Sequence, residues 1–159
     1  MSAAPTVTVT DVTGGKKVTA VNNEQALGAK LRYTTTGVDP ESTDDEWPEA
    51  GITLSTAGTT TFKVASFVGT SKGAVTTQEV TVAKLTAPTI TPGDNSFTIE
   101  GNDEGVDVDL YYRFGTSGSW SKYTETVAIT ETVTVQAYAK LKGYVDSDHA
   151  EQEVTYTEE

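Results

Sequence analysis

The 159-residue chain contains no cysteine and a single histidine. Without cysteine there is no disulfide, no thiolate metal site and no thiol chemistry, so the fold must hold without covalent staples. Basic residues are scarce as well. Eleven Lys and Arg stand against 23 Asp and Glu, giving a net charge of −12 and a pI near 4.4. Phosphate backbones need a basic footprint, and anionic membrane surfaces repel a chain of this sign, so neither partner is expected. The plainest consequence of the charge is solubility and resistance to self-association. No apolar run reaches membrane-spanning length, so no membrane insertion is expected. Met1-Ser2-Ala3-Ala4-Pro5 has neither the basic nor the apolar region of an export signal. Sustained apolar spacing at helical period is missing too.

Threonine is what the chain has in quantity. Thirty threonines, with seven tyrosines and four phenylalanines, favour strands. Fourteen glycines and five prolines supply turns. The sequence also repeats itself. Ala4-Pro5-Thr6-Val7-Thr8 is echoed by Ala87-Pro88-Thr89-Ile90-Thr91, and Leu31-Arg32-Tyr33 by Leu110-Tyr111-Tyr112. Phe62-Lys63-Val64 is answered by Val133-Thr134-Val135, and Gln78-Glu79-Val80-Thr81 by Gln152-Glu153-Val154-Thr155. A period of about eighty residues is too long for a solenoid unit and suits a small domain. Two all-β domains in tandem are expected, residues 1–85 and 86–159. The short junction around Ala87-Pro88, stiffened by proline, predicts a rigid joint.

In the first half, strands are expected at 6–12, 17–21, 29–35, 51–55, 60–67 and 76–83. Phe62, Val64 and Ser66 face one way there, with Lys63 and Ala65 facing the other. Gly14-Gly15 reads as a hairpin turn. The span 37–48 is acidic, holds Pro40 and Pro48, and is the longest irregular stretch. Long loops on a rigid scaffold are where binding usually sits. In the second half the expected strands are 89–91, 96–100, 106–113, 126–130, 132–140 and 151–156. Val133, Val135 and Ala137 form one buried face, Leu110 and Tyr112 another, and Tyr33 and Tyr112 are core residues.

The run Leu31-Arg32-Tyr33-Thr34-Thr35-Thr36-Gly37-Val38-Asp39-Pro40, followed by Trp47, Ile52-Thr53-Leu54 and Thr61-Phe62-Lys63-Val64-Ala65-Ser66-Phe67, resembles a known module. It is similar to the immunoglobulin-like module of chitobiase/β-hexosaminidase C-terminal type. Thr36 stands where that pattern usually has Asp, and Ser66 where it usually has Ala. In the second half, Leu110-Tyr111-Tyr112, Val133 to Tyr138, Gly143-Tyr144 and Val154-Thr155-Tyr156 follow the same pattern without the Asp-Gly-x-Asp-Pro turn. The resemblance implies two immunoglobulin-like, fibronectin III-like β-sandwiches. It also implies a non-catalytic accessory role, as on bacterial secreted enzymes, surface proteins and phage particles.

Chemistry-bearing residues are few. His149, in Asp146-Ser147-Asp148-His149, has no Gly-x-Ser-x-Gly elbow to serve and reads as a solvated turn residue. HExxH, P-loop and dinucleotide motifs are missing, so neither an enzyme nor a cofactor is expected. Acidic residues gather at Asp44-Asp45-Glu46 and at Asp103, Glu104, Asp107 and Asp109. The second group is a candidate for calcium by donor type, although its spacing fits no full calcium motif. Trp47, Trp120, Tyr111, Tyr123 and Tyr144 lie in or beside expected loops and are candidates for contact with a glycan or protein. Trp47 and Trp120 each precede a short strand, which favours a shared packing role for the pair.

Function follows from the joint reading. A module of a kind displayed outside cells, on a chain opening at a methionine without an export signal, leads to the expectation of a phage virion protein. The expected role is surface decoration, with capsid or other virion proteins as partners and a weak adhesive contact that gains avidity from many copies. The alternative is an accessory adhesion or carbohydrate-contacting module of a bacterial secreted or cell-surface protein, meeting surface glycans or proteins.

Overall fold

The computed structural model describes residues 3–24 and 26–158. Met1, Ser2, Gln25 and Glu159 lie outside them, and so does the very start of the N-terminal segment read above. The described residues contain strands and turns and no helix, so the chain is all-β. It divides into two compact units, Met1–Ala83 and Lys84–Glu159.

The first unit has two three-stranded antiparallel sheets. One orders β1 (Thr6–Val12), β2 (Gly15–Val21) and β4 (Ile52–Leu54) as β1-β2-β4. The other orders β3 (Lys30–Thr34), β5 (Gly58–Val68) and β6 (Ser71–Val82) as β3-β5-β6. Inward residues of both sheets meet in one core: Val18, Leu31, Phe62, Val64 and Val80, with Val7, Val9, Ile52 and Leu54 around them. That is the alternation of a sheet with one buried face. The β1–β2 turn is tight, with Val12 opposite Gly15. A Cβ on Gly15 would lie 1.9 Å from the Leu54 carbonyl oxygen, so only glycine lets β4 approach β2 there.

The second unit repeats the plan. β7 (Thr89–Gly93), β8 (Ser96–Glu100) and β11 (Val127–Ala128) order as β11-β8-β7. β9 (Asp109–Phe114), β10 (Ser121–Lys122), β12 (Val133–Lys140) and β13 (Ala150–Val154) order as β10-β9-β12-β13. Ile90, Phe97, Ile99, Ile129, Val135, Ala137 and Val154 form its core, with Leu110 and Tyr112 against it. The duplicated Ala-Pro-Thr openings are even secured alike. Asn23 Nδ2 donates to the Ala4 carbonyl at 2.8 Å and the Thr6 hydroxyl at 2.9 Å. Asn102 Nδ2 donates to the Ala87 carbonyl at 2.8 Å and the Thr89 hydroxyl at 3.0 Å.

Several boundaries differ from expectation. The β5–β6 hairpin is longer, turning at Gly69-Thr70. Residues 106–108 belong to a loop, because Asp103 to Val106 form a turn closed by the Val106 N–H to the Asp103 carbonyl at 3.2 Å. β10 was not expected: two residues are too few to show alternation. The units divide two residues before the expected boundary at 85. Lys84 bridges Val145, the Leu85 N–H donates to the Val145 carbonyl at 3.0 Å, and the Leu85 side chain is buried.

Candidate functional site

The long acidic loop of the first unit is fastened to its own sheet. Lys63 Nζ on β5 meets Asp39 at 2.7 Å, and Lys72 on β6 meets Glu41 at 3.4 Å. Between those two acids Pro40 is fully buried. Lys30 reaches Glu46 at 3.3 Å, and Arg32 donates to the Asp44 carbonyl at 3.1 Å. The Lys63 hydrogen bond and charge hold the Asp39 carboxyl below the ordinary aspartate range. Lys63 and Ala65 do face away from the core, yet Ala65 is fully buried, because the loop lies over that side of the sheet. The span expected to offer a binding loop is therefore a cover.

Trp47 is not a contact residue. It is 8% exposed, belongs to the core, and meets Tyr33 and Phe62 edge to face at 5.1 and 5.8 Å. Its backbone N–H donates to the Leu31 carbonyl at 2.9 Å. In the second unit the same place is filled by Tyr123. The Tyr123 N–H donates to the Leu110 carbonyl at 2.8 Å, and its ring meets Tyr112 edge to face. Tyr123 is half-buried and packs against the core. The shared packing role expected for Trp47 and Trp120 is thus a correction: the pair is Trp47 and Tyr123.

Trp120 points the other way. β10 sets Ser121 opposite Tyr112 and Lys122 opposite Tyr111. Tyr112 faces the core, so Ser121 does too, and Trp120, one residue earlier, faces outward. There it joins outward side chains of three strands. Tyr111 on β9 stacks on Tyr138 of β12 at 5.4 Å and 17°. The Trp120 indole meets Tyr138 at 4.6 Å and His149 at 4.9 Å, both edge to face. The Arg113 guanidinium lies over the indole at 4.4 Å from its centre. Arg113 Nε also donates to Gln136 Oε1 at 2.9 Å, and Gln136 Nε2 donates to Glu151 at 2.8 Å. This row follows the register, in which Gln136 sits opposite both Arg113 and Glu151.

The indole therefore lies across the sheet. It starts beside β10 and reaches a side chain of β12, two strands away. Gln136, held between Arg113 and Glu151, is only 8% exposed although it faces outward. Burial pushes the Tyr138 phenol up from its ordinary value. Of these residues, sequence reading singled out Trp120 and Tyr111. Arg113, Gln136, Tyr138 and Glu151 escaped it, although Tyr111 and Tyr138 sit at alternate positions to core residues on their strands. His149 is exposed, as a turn residue should be, yet it borders the indole rather than standing alone.

The other candidates are not drawn together. Asp103 accepts the Thr86 N–H at 3.1 and 3.0 Å through its two oxygens, and Asp109 pairs with Lys122 at 3.3 Å. Glu104 and Asp107 are exposed. Among the described residues no three of His, Asp or Glu converge on a common point. Tyr144 lies half-buried in a turn closed by its N–H to the Leu141 carbonyl at 3.1 Å. A recess of about 220 Å³ is lined by Phe114, Ala128, Ile129, Thr130, Glu131 and Val133.

No protein-family profile matches the chain, and no curated protein sequence matches it. Among solved structures it is similar to the chicken interferon gamma receptor alpha chain, at 9% identity and a TM-score of 0.38, over 95% of this chain and 98% of that one. A likeness this distant carries no argument about role.

Proposed function

We propose that the chain is a non-enzymatic structural and display protein built of two immunoglobulin-like, fibronectin III-like β-sandwiches, carried on a phage particle as surface decoration. Each unit packs two antiparallel sheets over one core, the layering of such sandwiches. The observation that carries the reading is how the polar residues are used. Asp39, Glu41, Glu46, Asp103, Asp109 and Asp148 each hold a named lysine or backbone N–H in place. Catalysis needs such groups aimed at one reacting atom, with pKa values pulled apart. Here the shifted aspartates, Asp39 and Asp148, are both lowered, each mainly by one lysine partner, Lys63 and Lys84.

The test is to purify particles released on lysis of the source host through a density gradient. The chain is expected in the particle band at the copy number of a structural protein. Its absence from the particles, with the chain found attached to cells or fused to a secreted enzyme, overturns the reading. The second reading, an adhesion or carbohydrate-contacting module of a bacterial surface or secreted protein, draws on the outward Trp120. The two readings share that face.

A further inference from the structure

We propose that the outer face of the β10-β9-β12-β13 sheet binds a neutral pyranose sugar, with the Trp120 indole as its stacking platform. This rests on the contact reading of Trp120 and gives it a site and a ligand class.

The same face exists in both units and is treated in opposite ways. In the first unit it is closed by the chain itself, with Pro40 buried on it and Lys63 and Lys72 tied to the loop above. In the second unit the connection from β9 to β10 runs only from Gly115 to Trp120, too short to form such a cover. What stands on that face is a half-buried indole, two half-buried tyrosines and an exposed imidazole. Packing of the unit does not call for them, since its core is complete on the other side of the sheet.

The chemistry of the face selects the ligand. One side of the indole is taken by Arg113, which Gln136 holds down at the level of the sheet. Tyr138 and His149 border the ring edge to face, and the part of the half-buried indole that stays exposed is what an apolar partner can meet. A pyranose ring offers a flat face of C–H groups to such a surface and a rim of hydroxyls around it. The rim needs planar groups able both to donate and to accept. Between them, Arg113 donates, Glu151 accepts, and Gln136, His149 and the Tyr138 phenol carry both kinds of group beside the indole.

Charge points to a neutral sugar. Around the indole the charges cancel: Arg113 is joined through Gln136 to Glu151, Lys122 pairs with Asp109, and Lys140 lies 3.9 Å from Asp146. Glu153 sits one row further along β13. An acidic sugar would meet this without any surplus cation, on a chain whose net charge is −12. A basic peptide would find the acids nearest the indole, Glu151, Asp109 and Asp146, already engaged.

The experiment uses the full chain and four neutral probes: cellopentaose, chitopentaose, maltopentaose and mannopentaose. Binding is followed by calorimetry and by tryptophan emission in a Trp47→Phe background, so that Trp120 is the only reporter. Saturable binding of at least one probe with a shift in Trp120 emission is expected. Trp120→Ala should then weaken it by about tenfold or more, as for an aromatic anchor at a contact's centre. Glu151→Gln should weaken it while leaving the melting curve in place, which separates lost recognition from lost folding. Tyr123→Phe, on the core side, should bind as the parent does. The proposal is overturned if no probe binds at millimolar concentration, or if Trp120→Ala binds as tightly as the parent. A chain that binds no sugar yet purifies with particles sinks this proposal alone and leaves the display reading standing. A chain that binds sugar but stays off particles does the reverse.

Discussion

Trp47 and Tyr123 are structural counterparts, each bonded through its N–H to the carbonyl of a matching leucine, Leu31 and Leu110. Each also meets a matching tyrosine edge to face, Tyr33 and Tyr112. One consequence is unequal stability costs for the two tryptophans. Trp47→Ala opens a cavity in a core and should cost about 3–5 kcal/mol. Trp120→Ala removes two edge contacts and a cation–π contact on an outer face, and should cost about 1 kcal/mol. Denaturant melts of the two variants check this; equal losses would place both rings in cores.

Ser66 is 1% exposed, and its hydroxyl has no hydrogen-bond partner. It occupies the position where the module it resembles usually has Ala. Removing a buried, unpaired hydroxyl relieves its desolvation, so Ser66→Ala should stabilise the chain by about 1 kcal/mol. A rise in melting temperature is the expected result, and a fall would mean that the hydroxyl has a partner.

The two asparagine clamps should behave alike. Asn23→Ala and Asn102→Ala each lose a carboxamide that ties the start of a first strand to the loop after a second strand. Each should cost about 1 kcal/mol, since both carboxamides are exposed and water replaces part of the loss. Hydrogen exchange should speed up near Thr6 in one variant and near Thr89 in the other.

Asp39 and Asp148 both titrate below the ordinary value, through hydrogen bonds from Lys63 and Lys84. A depressed carboxyl stabilises the folded state above its unfolded pKa, near 3.9, and that contribution is lost as pH falls through the folded value. These two groups should therefore leave stability unchanged from pH 7 to about 5 and lower it below about pH 4. Carboxyl NMR titration of Lys63→Met should return Asp39 to the ordinary range and leave Asp148 where it is. Both carboxyls are exposed, so added salt should shrink both shifts.

The duplicated plan was legible in the sequence because strand alternation and the Ala-Pro-Thr echo are both local signals. β1 runs over the expected residues, and Val135 and Ala137 fall in the core on the expected side. The candidate site was only half legible. Whether a residue beside a two-residue strand faces in or out depends on register, and a slip of one position reverses it. Trp120 and Tyr123 are three apart, hence on opposite faces, and composition alone ranks the tryptophan first. Spacing held the better signal: Trp47 lies five residues before Ile52, Tyr123 four before Val127, and Trp120 seven. The 37–48 loop misled for another reason. Its acids look free in one dimension, and the lysines of Asp39 and Glu41 come from β5 and β6, more than twenty residues away.

The close approach at Gly15 limits how the β1–β2 tip can be altered. Thr13 in the bend is exposed, whereas any replacement at Gly15 drives an atom into the Leu54 carbonyl. Anyone displaying a foreign epitope on this scaffold should open the bend between Thr13 and Gly14 and leave the glycine after it untouched.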